Sequence, residues 1–244
     1  MGIVINQSIK NIVITYFGFG IGAINALFLY TNFLDKEYYG MVTFLLSASS
    51  IMMPLMAFGV HSTLIRFYSR YTDVAEREKF MTFMLFMPLL LIIPITLITY
   101  FFYDQIAFLI LEKNPETKPF LWLIPIIGIC MGYFEVYYAW VKVHMKSVIG
   151  NFISEVLVRV VIMLMLFAVY WNWISKDQFI YGLAVAYFLQ VFVMKIYAMS
   201  VKMPVLSLQI PANVKEIFGY SFFIILSGGV AVLLVDFDKV MIPM

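Results

Sequence analysis

This sequence predicts an all-α fold, a polytopic membrane helical bundle, and three observations predict it. Of its 244 residues 64% are hydrophobic and only 12% are charged, whereas a soluble domain carries nearer about 25% charge. The charges are clustered. No Asp, Glu, Lys or Arg occurs from Asn11 to Leu34 or from Tyr38 to Ile65. At about 1.5 Å per residue each run reaches about 35 Å or more, enough to cross a hydrocarbon core of about 30 Å. The same pattern of long uncharged runs and short charged turns repeats along the chain, to an expected six complete transmembrane helices plus the start of a seventh.

The first hairpin covers Asn11 to Arg66, with the turn Leu34-Asp35-Lys36-Glu37-Tyr38-Tyr39-Gly40 at its tip. Each of its helices carries a small or polar stripe at 3,4 spacing, which places the residues on one helix face. In the first helix the stripe is Thr15, Gly18, Gly22, Asn25, Leu29 and Asn32. In the second it is Gly40, Thr43, Ser47, Ser50, Pro54, Ala57 and His61, expected to run without a break. Small residues in lipid mark close helix approach, and polar ones mark a cavity or a partner. Packing is the reading for the Gly and Ala positions. Asn25 and Asn32 are read as pathway residues.

A charged connector with Arg66, Arg70, Arg77, Glu78 and Lys79 leads to a third span, Phe80 to Tyr103, ending in the aromatic belt Tyr100-Phe101-Phe102-Tyr103. A polar loop, Asp104 to Lys118, precedes a fourth span from Pro119 to about Val141. Lys142, His144 and Lys146 form a basic turn. The fifth span runs from about Ser147 to Trp173, the sixth from about Gln178 to Val201, and the seventh apolar run from Ile217 to Val235. This divides the chain into an N-terminal six-helix lobe (1–201), a cytoplasmic linker (202–216) and the first helix of a truncated second lobe (217–244). The chain is thus expected to be part of a longer protein; a small seven-helix protein is the alternative.

Orientation comes from Lys and Arg in alternate loops. Lys10, Arg66, Arg70, Arg77, Lys79, Lys142, Lys146, Lys195, Lys202 and Lys215 fall on one side, and Lys36, Lys113, Lys118 and Lys176 on the other. The richer side takes the N-terminus, so a cytoplasmic N-terminus is expected. The first apolar run is too long for a signal-peptide core.

An ionisable group at bilayer depth costs about 2.5–3.5 kcal/mol on insertion scales, so each needs a reason. Glu135, Glu155 and Arg159 are in this class, with Asp236 nearer the far interface. Glu155 and Arg159 stand four apart and share a helix face. Glu135, on the preceding span, falls at similar depth. Two readings stay open: an internal salt bridge that fixes helix packing, or a polar patch in a central cavity. In the second, Arg159 holds an anionic head group and the carboxylates hold a cation or proton. Arg66 and Arg70 are read either as snorkelling interfacial residues or as the first capture point for a phosphate, through bidentate hydrogen bonds.

Other motifs carry no chemistry. Gly18-Phe19-Gly20-Ile21-Gly22 lies in an apolar helix with no preceding strand, so it is no dinucleotide loop. Cys130 is the lone cysteine and excludes an intramolecular disulfide. His61 and His144 have no ligand-spaced partners, so no metal is expected. No nucleophile has a visible base, and the chain is not expected to be an enzyme. Membrane lipids are the expected surroundings, and no nucleic-acid partner is expected.

Leu34-Asp35-Lys36-Glu37-Tyr38-Tyr39-Gly40, with an apolar run after it to Phe58-Gly59-Val60-His61-Ser62-Thr63-Leu64-Ile65-Arg66-Phe67-Tyr68, resembles the start of the oligosaccharide flippases. These are the Wzx-type polysaccharide biosynthesis proteins of the multidrug/oligosaccharidyl-lipid/polysaccharide exporter superfamily. Gly219 to Ile242 is similar to the first helix of that family's second half, with Asp238-Lys239 as its acid–base pair. Ser221 stands where the family often has Pro, which puts a kink there in question. The resemblance implies a V-shaped transporter of two six-helix lobes in the bacterial cytoplasmic membrane. It implies alternating-access flipping of an undecaprenyl-pyrophosphate-linked oligosaccharide, as for O-antigen. The implied partners are this anionic lipid-linked cargo and the remainder of the chain as second lobe. No cofactor is implied beyond coupling to an H+ or Na+ gradient. A cation-coupled multidrug exporter is the alternative, weakened because the first helix lacks a buried acid. A membrane-embedded glycosyl or acyl transferase is the third reading.

Overall fold

A computed structural model describes residues 2–110, 115–205, 207 and 209–241. Among the described residues the chain is helical without strands. Seven stretches are long and apolar enough to cross a membrane: Ile5–Phe33, Lys36–Tyr68, Val74–Phe101, Glu116–Val143, Ser147–Tyr170, Lys176–Val201 and Val214–Asp236. These first to seventh spans match the sequence expectation in number and order. The Glu112–Asn114 part of the polar loop, the side chains of Asp238 and Lys239, and residues 242–244 lie outside the described residues.

Several spans begin earlier than their apolar runs. The third starts at Val74, because Asp73 caps its helix by accepting the Glu76 amide at 3.0 Å. The Arg77-Glu78-Lys79 connector is therefore helix. The sixth starts at Lys176, where Ser175 and Gln178 form a reciprocal capping box. The seventh starts at Val214 and runs unbroken through Ser221 to Met241. Ser221 makes no kink; its hydroxyl pairs with that of Thr63 at 2.8 Å.

Five of the spans are not single uniform α-helices. The second breaks between Lys36–Met56 and Val60–Tyr68, with Phe58 and Gly59 at φ of 50° and 62°. Pro54, whose ring crowds the preceding turn, stands just before this break. The expected unbroken stripe from Gly40 to His61 is thus interrupted at Ala57 to Gly59. The third breaks at Met87 and Pro88, between Val74–Phe86 and Leu89–Phe101. The fourth opens with a 3-10 turn over Pro115–Phe120 before its helix, Leu123–Val143. The first and fifth contain π-helical turns, Asn25–Leu29 and Ile153–Leu157.

The fourth span is central. It packs against the second and the sixth, the seventh lies along the second, and the first lies along the fifth. The second span's small stripe is the seat of the seventh helix. A Cβ at Gly59 would stand 2.5 Å from the Ser221 carbonyl oxygen, and one at Gly228 would stand 3.7 Å from Pro54 Cβ. Ser47 Oγ lies 3.5 Å from an Asp236 carboxylate oxygen. Of this stripe Ser47 and Pro54 meet the seventh helix directly, whereas a Cβ at Gly40 would meet nothing within 4 Å.

Buried side chains form two cores stacked along the spans. One gathers Phe44, Leu45, Leu123, Ile127, Leu166, Phe179 and Leu183. The other gathers Val60, Leu64, Phe67, Phe80, Phe134, Trp140, Ile153 and Met194. Polar contacts tie the loops within each end. At one end Arg70 pairs with Glu216 at 2.5 Å, Lys202 with Glu78 at 2.9 Å, and Tyr71 donates to Asn213 at 2.5 Å. At the other, Lys176 pairs with Asp35, Lys118 with Asp104 at 2.9 Å, and Tyr38 donates to Asp177 at 2.8 Å. Each of these pairs stays within its own end, as alternating spans require. Between the cores lies the pair of Arg159 with Glu155.

Candidate functional site

The site lies where the first span meets the fifth, at the level between the two cores. A π turn is one residue wider than an α turn and leaves backbone carbonyls without their usual partners. The fifth span's π turn fills that need with side chains. Gln190 Nε2 of the sixth span donates to the Ile153 carbonyl at 3.2 Å. Arg159 Nη1 donates to the Glu155 carbonyl at 2.5 Å and to its carboxylate at 2.7 Å.

Facing it, the first span has its own π turn beginning at Asn25. Asn25 Nδ2 donates to the Arg159 carbonyl at 2.9 Å, and its Oδ1 is buried without a hydrogen bond. One and two turns before, Gly22 and Gly18 form a slot for the guanidinium. A Cβ at Gly18 would stand 2.5 Å from the Glu155 carbonyl oxygen and 2.8 Å from Arg159 Nη1. A Cβ at Gly22 would stand 3.1 Å from Arg159 Nε. Only residues without side chains let the backbones approach this closely.

The pair is not sealed. Arg159 and Glu155 side chains retain 36% and 27% of their exposure. Nη1 carries both Arg159 hydrogen bonds, so Nε and Nη2 make none to the described residues. A guanidinium held on one edge and open on the other can accept an anion in bidentate geometry.

A polar seam continues toward the N-terminal end. Asn151 Nδ2 donates to the Asn11 carbonyl at 3.1 Å and to Thr15 Oγ1 at 3.3 Å, and Asn11 Nδ2 donates to Ser147 Oγ at 3.3 Å. Glu135 of the fourth span is half-buried and makes no hydrogen bond or ion pair to the described residues. It lies within electrostatic range of Glu155 and Lys142.

Of the expected pathway residues, the structure brings Asn25, Glu155 and Arg159 into contact, while Glu135 stands on the fourth span with no hydrogen bond or ion pair to them. The structure separates the other two. Asn32 is exposed and donates to the Phe28 carbonyl of its own helix at 2.6 Å. Arg66 is exposed near one end of the second span, its guanidinium 4.2 Å over the Tyr220 ring. Arg70 lies over Phe67 at 4.5 Å and Arg77 over Tyr68 at 5.4 Å, so three arginines rest on aromatic faces there. Sequence reasoning missed Asn151 and Gln190. Asn151, Glu155 and Arg159 stand at strict steps of four, a signal that was present. Gln190 carried none, since its partner is a carbonyl on another span.

Among the described residues no cluster of His, Cys, Asp or Glu could hold a metal ion. No curated protein and no solved structure matches the chain. A family model described as "Polysaccharide biosynthesis protein" matches residues 5–244. That match spans nearly the whole length of the chain, and the chain belongs to the polysaccharide biosynthesis protein family.

Proposed function

We propose that the chain is a lobe of a transporter that flips an undecaprenyl-pyrophosphate-linked oligosaccharide across the bacterial cytoplasmic membrane, with its N-terminus in the cytoplasm. The observation that carries this is Arg159, half-exposed between the two cores with Nε and Nη2 unused. A purely structural ion pair at this depth gains most by closing off from its surroundings, since each charge is costly in hydrocarbon. An open guanidinium edge suits a ligand that brings its own negative charge. The seam of Asn25, Asn151 and Thr15 adds the amide and hydroxyl groups that sugar hydroxyls need. A second lobe, from the rest of a longer chain, would close the pathway and allow alternating access. No cofactor and no covalent step enter this reading.

The lack of any acid in the first span, Ile5–Phe33, speaks against a cation-coupled multidrug exporter that depends on one. A membrane-embedded transferase lacks a paired nucleophile and base in this seam. The test is Arg159→Ala in the intact protein, with lipid-linked oligosaccharide translocation as the readout. Translocation is expected to be abolished while insertion stays normal. Unchanged translocation would leave Arg159 only a packing role.

A further inference from the structure

The fifth span meets the first along a seam that a continuous α-helix would not give. On the first span Asn11, Thr15, Gly18, Gly22 and Asn25 face the fifth, at alternating steps of four and three. Their counterparts on the fifth span include Ser147, Asn151 and Arg159. In an α-helix, at about 100° per residue, Ser147 and Arg159 would stand about 120° apart around the axis, and Asn151 and Arg159 about 80°. The π turn at Ile153–Leu157 lies between them and takes up about one extra residue. With that residue absorbed, Arg159 comes within about 20° of both.

This turn is held from a third span. Three successive carbonyls of it accept from side chains. Gln190 Nε2 donates to Ile153 at 3.2 Å and to Ser154 at 3.5 Å, and Arg159 Nη1 donates to Glu155 at 2.5 Å. Gln190 is buried, and its helix packs along the fifth span. A carbonyl without a donor at this depth is costly. An α turn would return such carbonyls to backbone donors of their own helix. The Gln190 amide therefore favours the wide turn over the α turn.

We propose that Gln190 is a positioning residue, holding the π register that turns the Arg159 guanidinium into the slot between Gly18 and Gly22. It acts through the Ile153 and Ser154 carbonyls and makes no hydrogen bond to Arg159 itself. With an apolar side chain in its place the turn tightens to α. Asn151 and Arg159 can then no longer face the first span together. This rests on the reading of Arg159 as an anion site.

The test uses the intact chain in phosphatidylcholine nanodiscs, with inorganic pyrophosphate as probe. Gln190→Leu is expected to weaken binding by about tenfold, the loss of one charge-assisted hydrogen bond. A second variant separates register from packing. Deleting Ser154 from Gln190→Leu removes the residue that the π turn absorbs. A plain α-helix then presents Ser147, Asn151 and Arg159 on one face, and Glu155 and Arg159 stay four apart. Binding should return to the wild-type level. A packing defect at residue 190 would not be repaired by shortening the neighbouring helix. Wild-type affinity in Gln190→Leu overturns the proposal, and so does a deletion variant that binds no better than Gln190→Leu. No binding by the wild type itself is a different failure: it removes the anion site, and the positioning role with it.

Discussion

The Arg159–Glu155 pair and the Arg70–Glu216 pair have the same chemistry and nearly the same geometry, at 2.7 and 2.5 Å. Their surroundings set them apart. Arg70 and Glu216 keep 45% and 54% of their side-chain exposure at one end of the bundle. Exposed pairs of this kind are worth about 0–1 kcal/mol, since water solvates either charge alone. Arg159 and Glu155 lie at the waist between the cores, in a slot that Gly18 and Gly22 keep open. There, removing one partner leaves a charge that its surroundings solvate only in part. Burial, more than contact distance, decides what an ion pair does.

The largest expected effect comes from filling the slot. Gly18→Leu would drive a side chain into the Glu155 carbonyl and the Arg159 guanidinium. It should cost about 3 kcal/mol or more, since overpacking typically costs about 1–3 kcal/mol and here backbone stands in the way. Thermal unfolding in detergent micelles would measure it; an unchanged midpoint would show that the two spans do not approach as described.

Next comes the pair itself. Arg159→Gln leaves Glu155 uncompensated and should destabilise by about 2 kcal/mol, less than the about 3–5 kcal/mol of a fully buried pair because both groups keep some exposure. The double variant Arg159→Gln with Glu155→Gln should recover most of that loss. A double variant no better than the single one would put the waist on a par with the exposed end.

Smaller still is the Thr63–Ser221 bond, which is fully buried between the second and seventh spans. Thr63→Val should cost about 1–2 kcal/mol, because Ser221 then loses its partner, although its hydroxyl can still turn to its own helix. The smallest effect belongs to Arg70→Ala, expected within about 1 kcal/mol and shrinking further in high salt. A loss as large as that of Arg159→Gln would overturn the comparison outright.

Much of the site was legible. Glu155 and Arg159 announced themselves by charge within an apolar run, and spacing of four put them on one face. Asn25 stood out in a stripe at the same spacing. Asn32 belonged to that stripe too, yet it is exposed, because the π turn at Asn25–Leu29 adds a residue to the turn and rotates the rest of the helix. Periodicity counted on an unbroken helix cannot register that shift. Charge alone made Arg66 a pathway candidate, and only the position of Tyr220 on the seventh span shows where its guanidinium rests.

By itself the sequence determined the number and order of the spans and the ends at which charges gather. The reason is energetic and local: the hydrocarbon excludes charge wherever a helix crosses it, so composition along the chain records each crossing. Tertiary structure decided which faces meet. The first span packs on the fifth and not along the second, and the second span's stripe receives the seventh. Small residues permit a close approach but do not name the partner, because lipid gives no net hydrophobic drive to prefer one helix over another. The choice falls to shape and hydrogen bonding across the chain. That is how Arg159 came to lie against Gly18, Gly22 and Asn25, with one edge held and the other open.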